Sequence, residues 1–160
     1  MIRFKRSEQG FTVIELMVVI VVLCILGSLV ALTYSGVQTK NRNAERQTEI
    51  DALRAQLESY YAQTNTYPTL TAFNNAEWRS KNLKTLKEAT LEDPSWNNTI
   101  NACTSKGKIA AANAPTANCY SYQVTTTDGS ACDNNKAICA HYTLTAILEG
   151  SEKYVKSSLN

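Results

Sequence analysis

The sequence predicts an α+β protein in which one long N-terminal helix packs on a small antiparallel C-terminal sheet. Near the N-terminus lies an apolar run that is nearly uninterrupted, whereas a surface helix shows only a periodic apolar stripe. Near the C-terminus, apolar and polar residues alternate with a period of two, as in half-buried strands. At 160 residues, the chain has room for one domain beside a membrane or signal segment.

The apolar run covers residues 11–32, and Glu15 is its only formal charge. As a helix it would be about 33 Å long, enough to cross the hydrocarbon core of a bilayer. An ordinary secretory signal has a shorter apolar region followed by its cleavage site, whereas here a polar break at Gly10 precedes the apolar run. Basic residues lie before Gly10, so the positive-inside rule places everything after about residue 33 outside the cytoplasm.

The balance of charge argues against a nucleic-acid partner. The chain has 16 Lys and Arg against 14 Asp and Glu, and residues 1–10 hold three of the basic and one of the acidic side chains. The remainder therefore has 13 of each sign, and these charges are interspersed. A nucleic-acid binder would show a clustered basic face.

Glu15 is the anomaly of the apolar run. A carboxylate near the centre of a bilayer costs about 2.5 kcal/mol or more, so we expect it to have a partner. If the chain is cut between Gly10 and Phe11, a new ammonium group appears at Phe11, one helical turn from Glu15. The two charges can then neutralise each other within a subunit or between neighbours.

The stretch "GFTVIEL", with basic residues before it and an unbroken apolar run after it, resembles the processing signal of type IV prepilins and type II secretion pseudopilins. The resemblance implies that a prepilin peptidase cuts after Gly10 and methylates Phe11, and that Glu15 pairs with a neighbouring N-terminus during filament assembly. It also implies the α+β pilin fold. Many family members carry a proline in the membrane half of the helix, whereas Gly27 and Gly36 are the only weak points here.

The resemblance divides the chain into a cleaved leader, a filament-core helix and a head. These segments are residues 1–10, 11–35 and 36–160. The implied partners are copies of the chain and other pilins, the prepilin peptidase, the assembly machinery and, before assembly, the cytoplasmic membrane; no cofactor is implied. We expect a precursor with its head outside the cytoplasmic membrane and then a subunit of an extracellular type IV pilus. The alternatives are a pseudopilin of a type II secretion or competence system, and a membrane-tethered binding module for which the apolar run is only an anchor.

The first helix is expected to continue to about residue 63. Ile50, Leu53, Leu57 and Tyr60 or Tyr61 recur at spacings of three and four, which predicts a stripe packed on the sheet. Polar residues and Pro68 then end the helix. Charged pairs on the other face are expected to solvate it: Arg46 with Glu49, Asp51 with Arg54, and Arg54 with Glu58.

The second half contains one more predicted helix and the strands. Leu83, Leu86 and Leu91 lie among charged residues and predict one short amphipathic helix that ends before Pro94. Alternation in 120–125 and 142–149, followed by the turn "EGSE" and "KYVKSSL", predicts three antiparallel strands within about 119–160. Asn97-Asn98-Thr99 matches the glycosylation pattern, but a match this short is more often chance.

Four of the five cysteines lie in the exported half: Cys103, Cys119, Cys132 and Cys139. Outside the cytoplasm they imply two disulfides, and sequence allows three connectivities. We favour Cys103 with Cys119 and Cys132 with Cys139, because the second pair closes the loop between two predicted strands. Cys24, in the apolar run, is expected to be an inert thiol.

Catalytic and metal sites find little support in the sequence. His141 is the only histidine, no C-x-x-C occurs, and no nucleophile signature surrounds it, so a surface imidazole is favoured over a general base or a zinc ligand. Asp128, Asp133, Asn134 and Asn135 offer oxygens for calcium, but their spacing is not that of an EF-hand loop. A polar hairpin loop is favoured, with no metal, and the protein is not expected to be an enzyme.

Overall fold

A computed structural model describes residues 10–96, 103, 109–111, 118–132 and 137–159. Its helices are α1 (Val13–Thr64), α2 (Leu70–Phe73) and α3 (Ala76–Asn82), with a 3-10 turn at Glu88–Leu91. Its strands are β1 (Ala110–Ala111), β2 (Ser121–Thr125), β3 (His141–Ile147) and β4 (Lys153–Ser157). The predicted α+β class is confirmed, and the chain forms two compact units, Met1–Thr39 and Lys40–Asn160.

The described part of unit Met1–Thr39 consists mainly of the first part of α1. Within α1, residues Val13–Val30 have a mean hydropathy of 3.0, and none of these residues is buried. By length and composition, this segment can cross a membrane. The helix continues without a break through Gly27 and Gly36.

In unit Lys40–Asn160, α1 contributes an apolar stripe to the core. Ile50, Leu53 and Leu57 are fully buried in one cluster with Tyr122 and Leu144 of the sheet. The predicted contact between the stripe and the sheet is therefore confirmed. Burying each of these aliphatic side chains stabilises the fold by about 1.5 to 3 kcal/mol.

The end of α1 is set by a left-handed residue. Asn65 has φ 55°, and its N–H donates to the carbonyl of Tyr61 at 2.7 Å. Asparagine adopts this conformation more readily than most residues, and the bond satisfies one of the last helical carbonyls. The last residue of α1, Thr64, thus lies four residues before Pro68, close to the predicted boundary.

The sheet has the order β1-β2-β3-β4. The pairs β2·β3 and β3·β4 are antiparallel, with Tyr122 opposite Leu144 and Thr145 opposite Val155. The three predicted strands are therefore confirmed. Strand β1, which pairs in parallel with β2, was not predicted, because two alanines carry no alternation.

The single helix predicted before Pro94 is wrong. Helix α3 ends at Asn82, and Leu83 leaves the helical region with φ −123° and ψ 59°. The break brings Arg79 Nη2 within 2.7 Å of Glu88 Oε2. On an unbroken helix, positions nine apart lie on opposite faces, so this ion pair requires the break.

The expectation that the charged face of α1 is only solvated is also wrong. Among the residues that the structure describes, none of the three expected intrahelical pairs forms an ion pair; instead, acidic side chains of α1 accept hydrogen bonds from tyrosine hydroxyls. Glu58 accepts from Tyr142 at 2.8 Å and from Tyr67 at 2.9 Å. Glu49 accepts from Tyr120, and Asp51 accepts from Tyr154 at 3.0 Å. Together with the apolar stripe, these hydrogen bonds hold the sheet and its flanking loops against α1.

Candidate functional site

The Gly10–Phe11 junction lies outside regular secondary structure, just before α1. A Cβ built at Gly10 would meet no atom within 4 Å, and the Phe11 side chain is 86 % exposed. A protease needs an accessible peptide bond outside a helix, because the N–H and C=O groups of a helix are hydrogen-bonded within it. The junction meets both of these conditions.

Thr12 and Glu15 fix the start of α1 through reciprocal hydrogen bonds. The Thr12 N–H and hydroxyl each donate to Glu15 Oε2 at 2.8 Å, and the Glu15 N–H approaches Thr12 Oγ1 at 3.3 Å. This is the capping-box arrangement, in which a threonine and a glutamate three residues later satisfy orphan N–H groups. The role of Thr12 was missed in the sequence, although the T-x-x-E pattern preceding an apolar run signals it.

From Val13 to Val30, the surface of α1 is almost entirely apolar. From Val13 to Val30, the large apolar side chains are between 46 % and 76 % exposed. A surface of this size requires a lipid or protein environment. Glu15 is the only carboxylate within residues 13–30, so the site combines an accessible peptide bond, one acidic side chain and a continuous apolar helical segment.

Sequence comparison with known proteins finds similarity in the same N-terminal region. The prokaryotic N-terminal methylation motif matches residues 5–31. Type II secretion system core protein G of Aeromonas hydrophila is 43 % identical over 65 residues, and that of Dickeya chrysanthemi is 40 % identical over 65 residues. The type IV major pilin protein PilA of Myxococcus xanthus (strain DK1622) is 29 % identical over 65 residues. The N-terminal region of this chain is therefore similar to type II secretion core protein G and to a type IV major pilin.

The similarity to these family members is confined to less than half of the chain. It covers 41 % of this chain in each of the three comparisons, and 46 %, 42 % and 30 % of the Aeromonas, Dickeya and Myxococcus proteins. No solved structure matches the chain significantly. The head of this pilin-like chain therefore has to be interpreted from its own residues.

Two disulfides join the cysteines of the head. Cys103 is bonded to Cys119, and Cys132 to Cys139, which is the pairing that we favoured. The Cys139 carbonyl accepts from the Tyr67 N–H at 2.9 Å, so the second disulfide is tied to the segment that follows α1. Cys24 is an exposed free cysteine of α1.

The residues considered for metal binding do not converge in the described part of the chain. Asp128 accepts hydrogen bonds from the Thr126 hydroxyl and, at 3.0 Å, from the Ser130 N–H, and these bonds lower the pKa of Asp128. His141 begins β3 and is half-buried. Across the described residues, no three His, Cys, Asp or Glu side chains form a group suited to a metal ion. Asp133, Asn134, Asn135 and the Asn97-Asn98-Thr99 sequence lie outside the described residues, as does the leader before Gly10.

Glu49, in the head, has a strongly shifted pKa. Burial raises the pKa of Glu49 to about 7, the hydrogen bond from Tyr120 opposes the shift, and Glu45 and Asp93 add to it. Burial and the same carboxylate raise the pKa of Tyr120. This pair lies inside the contact between α1 and the sheet, so we assign it to stability rather than to catalysis.

Proposed function

We propose that the chain is the precursor of a filament subunit that is processed after Gly10 and polymerises through its N-terminal helix. One observation carries the proposal: an accessible Gly10–Phe11 bond stands directly before an exposed apolar segment of α1, residues 13–30, whose single carboxylate, Glu15, lies in the first turn. A simple membrane anchor needs the apolar helix but neither the accessible bond nor the carboxylate. The role is structural rather than enzymatic.

Processing changes the surroundings of Glu15. In the precursor, its carboxylate binds the Thr12 N–H and hydroxyl. Cleavage creates an ammonium at Phe11, where methylation by the peptidase would keep the positive charge. The ammonium of a neighbouring subunit then gives Glu15 an opposite charge in an apolar filament core, where an unpaired carboxylate is costly.

Two kinds of filament fit this proposal. A type II secretion pseudopilus is supported by the relatives that are named core protein G. A type IV pilus is supported by the relative named major pilin and by the two disulfides of the head, which suit exposure at the cell surface. In both cases the head lies outside the cytoplasmic membrane, and the partners are other subunits and the assembly machinery.

N-terminal mass analysis of membrane-extracted protein tests the proposal. The mature chain should begin at Phe11, and Gly10→Val should leave the leader attached. An intact N-terminus in the parent chain, or a cut after Leu32, would exclude the filament-subunit proposal and favour a signal anchor or a secreted protein. Abundant chain in filaments sheared from the cell surface would favour a pilus over a pseudopilus.

A further inference from the structure

A polar cleft of about 310 Å³ lies beside the C-terminal turns of α1 in unit Lys40–Asn160. One wall is the α1 surface around Gln56 and Gln63, and the other is the end of α3 with the segment that follows it. The volume is at the lower end of the range of about 300 to 1,000 Å³ for small-molecule sites. It admits a short piece of a polymer or a small ligand.

The charges that line the cleft are all positive. Lys81 and Lys84 contribute the two ammonium groups, and no Asp or Glu is among the lining residues. In the described part of the chain, neither lysine has a carboxylate within ion-pair distance, whereas the neighbouring Arg79 is paired with Glu88. Glu58, which precedes the lining residue Ser59 in α1, is bonded to tyrosines of the core. The cleft therefore favours an anion.

The remaining walls offer groups that suit sugar hydroxyls. The Thr85 hydroxyl donates to Gln56 Oε1 at 2.9 Å. Within the part of the chain that the structure describes, the Gln56 amide nitrogen donates to no acceptor. The Gln63 amide nitrogen donates to the Ser59 carbonyl at 3.1 Å, which leaves Gln63 Oε1 as an acceptor. In each side-chain amide, one polar atom is thus fixed by a hydrogen bond within the protein, and the other can hydrogen-bond a ligand.

An aromatic ring stands in the same wall. Tyr60 lines the cleft and is held edge-on against Trp78, with ring centroids 5.1 Å apart. A fixed ring gives the C–H face of a pyranose a surface to pack on. The lining has no arginine, which is the residue that suits bidentate phosphate binding, and it forms no extended basic stripe as nucleic-acid sites do.

From this combination of two unpaired ammonium groups, amides held at one end and a fixed ring, we infer that the cleft binds carboxylate-bearing sugar units of an acidic polysaccharide. The lysines pair with the carboxylate, and the amides bind the hydroxyls. The cleft lies wholly within unit Lys40–Asn160, so the inference does not depend on processing after Gly10. Gly10→Val protein should bind as well as the parent chain, which separates the two proposals.

The test is titration of the detergent-solubilised full chain with trigalacturonate. Lys84→Gln should weaken binding about tenfold, the loss expected for one charge-assisted hydrogen bond, and Lys84→Arg should restore most of it. Lys87→Gln removes an exposed charge outside the cleft and is the matched control, expected to change nothing. Maltotriose, a neutral sugar of equal length, should bind at least about tenfold more weakly than trigalacturonate.

Several results would overturn the inference. They are no binding of trigalacturonate to the parent chain, equal binding of maltotriose, or an equal loss with Lys87→Gln. Displacement of trigalacturonate by an equal concentration of inorganic phosphate or of a short single-stranded oligonucleotide would also overturn it, because the cleft would then recognise charge or nucleic acid instead of sugar. Both lysines are exposed, so unchanged unfolding of the variants is expected and can be verified by tryptophan fluorescence.

Discussion

Arg46 and Asp93 form a buried bidentate ion pair, with Arg46 Nε 2.7 Å from Asp93 Oδ2 and Nη2 2.9 Å from Oδ1, and both side chains are 1 % exposed. The other guanidinium hydrogens face Ser95 Oγ and Asn43 Oδ1 at 2.9 Å and Glu149 Oε1 at 3.4 Å. All five donors of the arginine thus have acceptors. Burial works to lower the pKa of Arg46, but the hydrogen bonds and charges of Asp93 and Glu149 outweigh burial and raise it.

Removing the arginine should strongly destabilise the head. Arg46→Met leaves the Asp93 carboxylate buried without its partner, which costs about 3 to 5 kcal/mol in the free energy of unfolding. Adding Asp93→Asn removes that charge and should recover a large part of the loss. Denaturant unfolding of the full chain in detergent, followed by tryptophan fluorescence, measures both changes, because Trp78 and Trp96 lie in unit Lys40–Asn160.

Arg42→Met is the matched control for this ion pair. Arg42 also binds Glu149, but both side chains are about a third exposed, so the loss should stay below about 1 kcal/mol. If Arg42→Met costs as much as Arg46→Met, burial is not what makes the Arg46 pair important. If the double variant is no more stable than Arg46→Met alone, the uncompensated charge is not the source of the loss.

Glu49 should make the stability of the head fall as pH rises. Burial raises its pKa in the folded state from 4.5 to about 7. Below pH 4.5 both states are protonated at this position; between 4.5 and 7 only the folded state still holds the proton, so the free energy of unfolding decreases with increasing pH. Above about pH 7 the whole loss is present.

The substitution Glu49→Gln isolates this effect. The amide cannot ionise but still accepts a hydrogen bond from Tyr120. Unfolding midpoints of Glu49→Gln measured from pH 4 to 8 should therefore not fall with rising pH as those of the parent chain do. At pH 8 the midpoint of the variant should exceed that of the parent chain. Glu77→Gln, an exposed change on α3, serves as the control and should keep the decline of the parent chain. An unchanged slope in Glu49→Gln would assign the pH dependence to another group.

The elements that could be predicted from the sequence are those that local periodicity determines. The apolar helix, the stripe at Ile50, Leu53 and Leu57, and the three alternating strands each depend on residues close in sequence. The break after Asn82 could not be predicted, because it serves an ion pair between Arg79 and Glu88 that exists only in the folded unit.

The buried arginine had a signal that was overlooked. Arg46 lies four residues before Ile50 and so continues the buried stripe of α1. Its partner Asp93 is 47 residues away, so the pattern alone could not identify what neutralises the charge. At the N-terminal site, the resemblance predicts roles for Gly10, Phe11 and Glu15, while the capping role of Thr12 became clear only from its hydrogen bonds.

Only Cys24 should react with a thiol reagent when the chain is denatured without a reductant. The other four cysteines are paired in the two disulfides of the head. Mass analysis after maleimide treatment should show one adduct on the parent chain, none on Cys24→Ser, and five on the parent chain after reduction. Three or more adducts without reduction on chain exported by the cell would contradict an oxidised head.

The last prediction concerns Glu15. Glu15→Ala should still be inserted and cut after Gly10, because the cleavage residues are untouched, yet it should enter filaments poorly. Without the carboxylate, the Phe11 ammonium of a neighbouring subunit is left unpaired in an apolar core, a loss of several kcal/mol when such a pair is fully buried. Glu15→Asp keeps the charge but shortens its reach and should fall between the parent chain and Glu15→Ala.

Thr12→Val is the matched control, because it separates helix capping from charge pairing. It removes the hydroxyl that donates to Glu15 Oε2 and accepts from the Glu15 N–H, but keeps the Thr12 N–H donor and the carboxylate. Loss of an N-cap side chain costs about 1 kcal/mol of helix stability, so assembly should decline much less than in Glu15→Ala. The measurement is the ratio of subunits in sheared filaments to processed protein in the membrane for each variant. A normal ratio for Glu15→Ala would show that the carboxylate is dispensable, and equal losses in Glu15→Ala and Thr12→Val would assign its role to capping the helix rather than to pairing between subunits.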